Sequence, residues 1–165
     1  MLKRGCHGAL QILQQLHEKI PFEIASYCLM TNHFHLQIRS DDVPISKIMS
    51  LINKRYANYY NTKYRLTGHV FEKRFFDKVI EDKEGMLEVS RYIHLNPVEA
   101  RMVKKPEHYP WSSYQLFLES ESIQPAFVNT ERILDFYLGS VEEKKKKYCE
   151  FIEGSLSISV GLNYL

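Results

Sequence analysis

The stretch Tyr27-Cys28-Leu29-Met30-Thr31-Asn32-His33-Phe34-His35-Leu36 joins an apolar segment to an alternating one through a short connection. Side chains in a β-strand alternate between the two faces, so His33 and His35 point to one side. Phe34 and Leu36 then point to the other side, toward a core. Two adjacent imidazoles on a strand commonly bind one divalent metal ion. The alternative is two ordinary histidines on a solvated strand face.

Outward from this stretch, the hydrophobic spacing predicts an α+β protein. Residues 22–29 and 33–39 read as two strands of a hairpin, and 69–80 as a third strand. Helices are predicted over 9–19, from 46 to about 60, from 81–83 to Pro97, over 130–138 and over 141–153. This order predicts two layers, an antiparallel sheet with helices on one face. The pattern is ferredoxin-like if a strand precedes the first helix.

Length and composition restrict the class of protein. The chain has 165 residues, 44% of them hydrophobic, which fits one domain with a helical appendix. No apolar run is long enough for a transmembrane span, and no signal segment is evident. Cys6, Cys28 and Cys149 form no close pair, which argues against a disulfide framework and fits a cytoplasmic protein.

Positive charge is concentrated in residues 53–79. This segment contains seven Lys or Arg residues and two acidic residues, so its net charge is +5 in a chain whose total is +2. The same segment is rich in tyrosine and phenylalanine. Cations neutralise phosphates and aromatic rings stack on unpaired bases, so the composition favours nucleic acid as a partner. A solvated basic face over a tyrosine-rich core is the alternative.

Three further motifs, together with the first, carry a resemblance to a known family. They are Gly68-His69-Val70-Phe71-Glu72-Lys73-Arg74-Phe75, Tyr92-Ile93-His94-Leu95-Asn96-Pro97-Val98 and Trp111-Ser112-Ser113-Tyr114. Over roughly residues 10–153, the chain resembles the single-tyrosine HUH transposases, in which HUH denotes His, hydrophobic, His. Among them it is most similar to the REP-associated type.

The resemblance implies an enzyme that cuts and rejoins single-stranded DNA through a covalent 5′-phosphotyrosine. By this resemblance Tyr92 is the nucleophile, and His33, His35 and Asn96 bind Mg²⁺ or Mn²⁺. It also implies a catalytic domain over 1–115, a helical C-terminal extension over 116–165, and a first strand that Lys3-Arg4-Gly5-Cys6 matches only in part. Independently of the family, Tyr92 and Asn96 are four residues apart and share one helix face.

Single-stranded or hairpin DNA is the expected partner, with a homodimer left open and neither a membrane nor a nucleotide cofactor expected. The residues expected to hold its phosphates are Lys54, Arg55, Arg65, Lys73 and Arg74. Tyr56 and Tyr60 are rival nucleophiles at the same four-residue spacing, although packing or base stacking suits them better. Two alternative functions stay open: a remnant that holds hairpin DNA without cutting it, and a nuclease that uses water.

Overall fold

The computed structural model describes residues 5–72, 75–118 and 123–161, with residues 155–161 as backbone only. Its two strands are β1 (Glu23–Leu29) and β2 (Phe34–Arg39). The helices of this described part are α1 (Cys6–His17), α2 (Ile45–Tyr64), α3 (Lys83–Glu99), α4 (Gln115–Leu118), α5 (Glu131–Leu134) and α6 (Val141–Gly161). None of these described helices combines the length and apolar character needed to cross a bilayer.

The predicted hairpin is present as an antiparallel pair of strands. Cys28 lies opposite His35 in the register, and the pairing is irregular between Ile24 and Ser26. The other edge of β1 is bonded to two later segments: Leu29 N–H donates to the Trp111 carbonyl at 2.9 Å, and Ile24 N–H to the Phe127 carbonyl at 2.8 Å. The two-stranded sheet of β1 and β2 is antiparallel, and the α+β class is confirmed.

The two faces of the hairpin contact different helices. Phe34 and Leu36 pack with Leu13 of α1 and Ile48 of α2 in the main core. On the opposite face, the Gln37 side-chain amide donates to the Met86 carbonyl of α3 at 3.1 Å. Helices thus cover both faces of the hairpin, where the sequence led us to expect one. Side chains alternate between the two faces of a strand, and residues 24–29 of β1 are all buried, so both of its faces are covered.

Helix α3 begins at a well-formed cap. The Asp82 carboxylate accepts a hydrogen bond from the Gly85 N–H at 2.7 Å, which satisfies one of the free donors of the first turn. Pro97 lies inside the helix, which ends two residues later at Glu99. The C-terminal helices pack against α3: Tyr148 and Ile152 of α6 share a buried cluster with Leu95. This packing fixes α3 from its outer side.

The predicted strand over 69–80 is wrong for the described residues 69–72 and 75–80, which pair with no strand. Phe71 instead packs on Phe34 and Tyr56, with ring centroids 6.1 and 5.8 Å apart. Phe76 is 91% exposed and Val79 78% exposed. A strand needs a ladder partner for its backbone groups, and the apolar pattern of this segment does not supply one.

Candidate metal and nucleophile site

His33 and His35 lie side by side, as the alternation predicts. His33 immediately precedes β2 and His35 is its second residue. Their Nε2 atoms are 3.0 Å apart. Burial, and then the neighbouring His33 imidazole, lower the pKa of His35 to about 4. The His35 imidazole is therefore neutral at pH 7.

The chemistry of this pair fits a divalent metal. The Nδ1 atom of His33 is 2.7 Å from the side-chain oxygen of Asn32. That oxygen only accepts, so Nδ1 carries the proton and Nε2 keeps a free lone pair. Two ligand atoms about 2.1 Å from an ion and at right angles to each other lie about 3.0 Å apart. The His33–His35 separation has this size. The orienting role of Asn32 was missed, although the residue stands in the first motif.

Tyr92 is brought to the same place from α3. Its ring is edge-on to the His35 ring, with centroids 5.3 Å apart. Half of Tyr92 is exposed to solvent, so a large substrate can approach it. The structure therefore joins His33, His35 and Tyr92, which come from distant parts of the chain, in one cluster.

Asn96 lies one helical turn after Tyr92 on α3 and is half-buried. Its backbone carbonyl accepts the Ala100 N–H at 2.9 Å. Its side chain forms no hydrogen bond within the described residues. It is placed on the Tyr92 side of α3, and no hydrogen bond joins it to His33 or His35 within the described residues. Its role as a third ligand stays a prediction.

The basic residues are distributed around the C-terminal half of α2. Lys54 and Arg65 are exposed and Arg55 is half-buried, while Lys73 and Arg74 lie outside the described residues. Arg65 caps the helix in the left-handed conformation, with φ of 52°. Because Phe71 contacts both Tyr56 and Phe34, this end of α2 lies next to the strand that carries the histidines.

The rival tyrosines occupy a different environment from Tyr92. Tyr56 is only 4% exposed, and burial raises the pKa of its hydroxyl well above the ordinary value. Tyr60 packs against Tyr56 and Tyr64, with ring centroids 6.1 and 4.6 Å apart. Both belong to an aromatic cluster on α2, and neither has a ring contact with His33 or His35 in the described structure.

A buried polar network lies behind α3. The His94 ring is fully buried, with Nδ1 2.6 Å from the Tyr148 hydroxyl and Nε2 2.8 Å from the Ser113 hydroxyl. The sequence predicted a structural or DNA-contacting role for His94. Because the ring is buried, it cannot contact DNA, and the structural role is retained. It gave Ser113 no role. The only signal was its membership of the Trp-Ser-Ser-Tyr motif.

The buried His94 predicts a pH dependence of stability. Burial lowers its pKa to about 3, whereas the unfolded value is near 6.5. As pH falls below 6.5, the unfolded chain takes up a proton that the native ring does not, so stability decreases. We expect the difference in unfolding free energy between wild type and His94→Gln to shrink by about 2 kcal/mol from pH 7 to pH 5. Urea denaturation measures it, and a pH-independent difference would contradict the assignment.

Comparisons with known proteins show the family to which the chain belongs. The sequence model of the family described as "Transposase IS200 like" matches residues 6–96, more than half of the chain. The chain belongs to this family of transposases, which act on DNA. A Haemophilus influenzae (strain ATCC 51907 / DSM 11121 / KW20 / Rd) protein named "Putative REP-associated tyrosine transposase" is 28% identical over 120 residues, covering 66% of this chain and 68% of that protein. No solved structure matches the chain.

Proposed function

We propose that this protein is a single-tyrosine HUH transposase that cuts and rejoins single-stranded DNA through Tyr92. The contact between Tyr92 and His35 is the observation that supports this most, with ring centroids 5.3 Å apart. The Nε2 atom of His35 in turn faces that of His33 at 3.0 Å. A hydroxyl nucleophile beside a pair of metal-ligand side chains is the arrangement that metal-assisted phosphodiester cleavage uses.

The proposed step is a transesterification. The Tyr92 hydroxyl oxygen attacks the scissile phosphorus, and the new O–P bond forms as the bond to the 3′ oxygen breaks. The phenol releases its proton to solvent, and the departing 3′ oxygen takes one up and leaves as a 3′-hydroxyl. The number of phosphoester bonds is unchanged, so the covalent intermediate conserves the energy for rejoining and no ATP is consumed.

His33, His35 and Asn96 would hold the divalent metal. Imidazole ligands suit Mn²⁺ better than Mg²⁺, which prefers oxygen. When bound, such an ion polarises the scissile phosphate and stabilises the charge that develops on it. Asn32 keeps the His33 ring oriented through its 2.7 Å hydrogen bond. The half-exposed Tyr92 ring lets a DNA strand approach from solvent.

The basic end of α2 would hold the DNA backbone. Lys54 and Arg65 are exposed there and Arg55 is half-buried, and Lys73 and Arg74 follow in the sequence. Each phosphate contact releases condensed counterions, so binding should weaken steeply as salt increases. Tyr59, Tyr60 and Tyr64 of α2 are half-buried and would offer the exposed part of their rings to unpaired bases, whereas Tyr56 is buried.

The test is a search for the covalent intermediate. Wild-type protein is incubated with Mn²⁺ and a DNA stem-loop that is flanked by randomised single strands, labelled at either the 3′ or the 5′ end. We expect a denaturation-resistant protein–DNA band with the 3′ label only, and a shorter free fragment ending in a 3′-hydroxyl with the 5′ label. Cleavage to a free 5′-phosphate would instead indicate a nuclease that uses water. Salt-sensitive binding without cleavage would indicate a DNA-holding remnant.

A further inference from the structure

Tyr92 and His35 are linked by a closed circuit of contacts, which runs from Tyr92 along α3 to His94, then through Ser113 to β1, and across the hairpin to His35. The ring contact between His35 and Tyr92 completes it. Ser113 is fixed to β1 at Tyr27: its hydroxyl oxygen accepts the Tyr27 N–H at 2.8 Å, and its own N–H donates to the Tyr27 carbonyl at 3.0 Å. Cys28, the next residue of β1, lies opposite His35 in the register. Ser113 therefore has a defined position relative to the histidine strand.

His94 joins this anchor to α3. A neutral ring with its proton on Nε2 satisfies the whole network: Nε2–H donates to the Ser113 hydroxyl and Nδ1 accepts from the Tyr148 hydroxyl, at 2.8 and 2.6 Å. The Ser113 hydroxyl is then free to donate to the Tyr27 carbonyl at 3.2 Å. Tyr148 accepts in turn from Ser90 at 2.5 Å. Every side-chain N–H and O–H of this buried network has an acceptor.

The position of Tyr92, the proposed nucleophile, depends on the rotation of α3 about its axis. Tyr92 and His94 are two residues apart, so they project about 200° apart around the helix axis. A rotation of α3 by about 20° would move a side-chain tip 5–6 Å from its axis by about 2 Å. The close-packed side chains around Leu95 resist such a rotation, and a hydrogen bond adds a restraint that depends on direction. The bond from His94 to Ser113 is therefore well placed to set the rotation of α3.

We propose that His94 is a positioning residue, which through Ser113 fixes the rotation of α3 so that Tyr92 lies against His35. The effect of His94 on the rate of adduct formation rests on the proposed function. The structural effect, the contact between the Tyr92 and His35 rings, exists without DNA or metal. A misplacement of about 1 Å can cost about 100-fold in rate, so the alignment has a measurable effect.

Two substitutions at position 94 separate the effect of the hydrogen bond to Ser113 from that of the hydrogen bond to Tyr148. The side-chain amide nitrogen of glutamine is as many bonds from Cα as Nε2, so His94→Gln can still donate to Ser113. The asparagine amide corresponds to Nδ1, so His94→Asn keeps the Tyr148 side and loses the Ser113 side. Tyr148→Phe is the matched control, because it removes a hydrogen bond of the same buried network outside the circuit.

Three quantities are measured on each variant: the melting temperature, the NOE between the His35 and Tyr92 rings, and the rate of adduct formation at saturating DNA with Mn²⁺. We expect His94→Asn to lose the NOE and to slow adduct formation by about 100-fold with unchanged DNA affinity. We expect His94→Gln and Tyr148→Phe to keep the NOE and to stay within about threefold of the wild-type rate, although Tyr148→Phe also lowers the melting temperature.

Two results would overturn the proposal. One is a His94→Asn protein that keeps the NOE. The other is a loss of rate that follows the loss of melting temperature equally in all three variants, which would make His94 merely structural. If the wild type forms no adduct, the proposed function fails on its own account, and the NOE in the metal-free, DNA-free protein still decides the positioning role.

Discussion

Replacing Tyr92 by phenylalanine is expected to abolish the covalent protein–DNA adduct, a loss of at least about 1,000-fold, since no other oxygen takes the place of the nucleophile. The fold should be unaffected: the ring is kept, and half of it is exposed to solvent, so the free energy of unfolding should change by less than about 0.5 kcal/mol. DNA affinity, measured by fluorescence anisotropy, should stay at the wild-type value. Denaturing gel electrophoresis measures the adduct.

The matched control for this experiment is Tyr60→Phe. Tyr60 is one of the rival tyrosines, and it packs against Tyr64 with ring centroids 4.6 Å apart. The control protein should form the adduct at close to the wild-type rate. If the Tyr92 variant kept the adduct while the Tyr60 variant lost it, the nucleophile would lie on α2 and the proposed site would be wrong.

The second large effect is expected for His35→Ala in metal binding. Removing a residue that only orients a metal ligand typically costs 10- to 100-fold in affinity, so removing a ligand should weaken Mn²⁺ binding by at least about 100-fold. The Nε2 atom of His35 is 3.0 Å from that of His33, so its loss leaves a single imidazole. Titration of Mn²⁺ into DNA-free protein, followed by electron paramagnetic resonance, measures the change.

His108→Ala is the control for this titration. The His108 side chain is 60% exposed and lies in the short turn Pro106–His108, outside the cluster of His33, His35 and Tyr92. Its loss should leave Mn²⁺ affinity unchanged. Equal affinities in wild type, His35→Ala and His108→Ala would show that the ion binds elsewhere or not at all.

Local patterns in the sequence were sufficient to predict the hairpin and to predict that the two histidines lie side by side. The alternation around Phe34 depends only on the period of a strand, and the contacts of Phe34 and His35 on opposite faces follow from it. The helix that contains Tyr92 and Asn96 was predicted from an equally local pattern. These features could be predicted because each depends on neighbouring residues alone.

Long-range contacts could not be predicted in the same way. The segment over 69–80 has a strand-like composition, yet whether a ladder forms depends on an edge that no local pattern specifies. Similarly, nothing near His94 in the sequence indicates that Ser113 and Tyr148 will surround its ring at 2.8 and 2.6 Å. The meeting of Tyr92 with His35 was expected only from the family resemblance, because helical spacing does not indicate what the helix packs against.

The most direct measurement is mass spectrometry of the trapped adduct after protease and nuclease digestion. We expect a deoxynucleotide 5′-phosphate attached to the peptide that contains Tyr92, at the tyrosine oxygen. A nucleotide on any other tyrosine, or cleaved DNA without a modified peptide, would contradict the assignment of Tyr92 as the nucleophile.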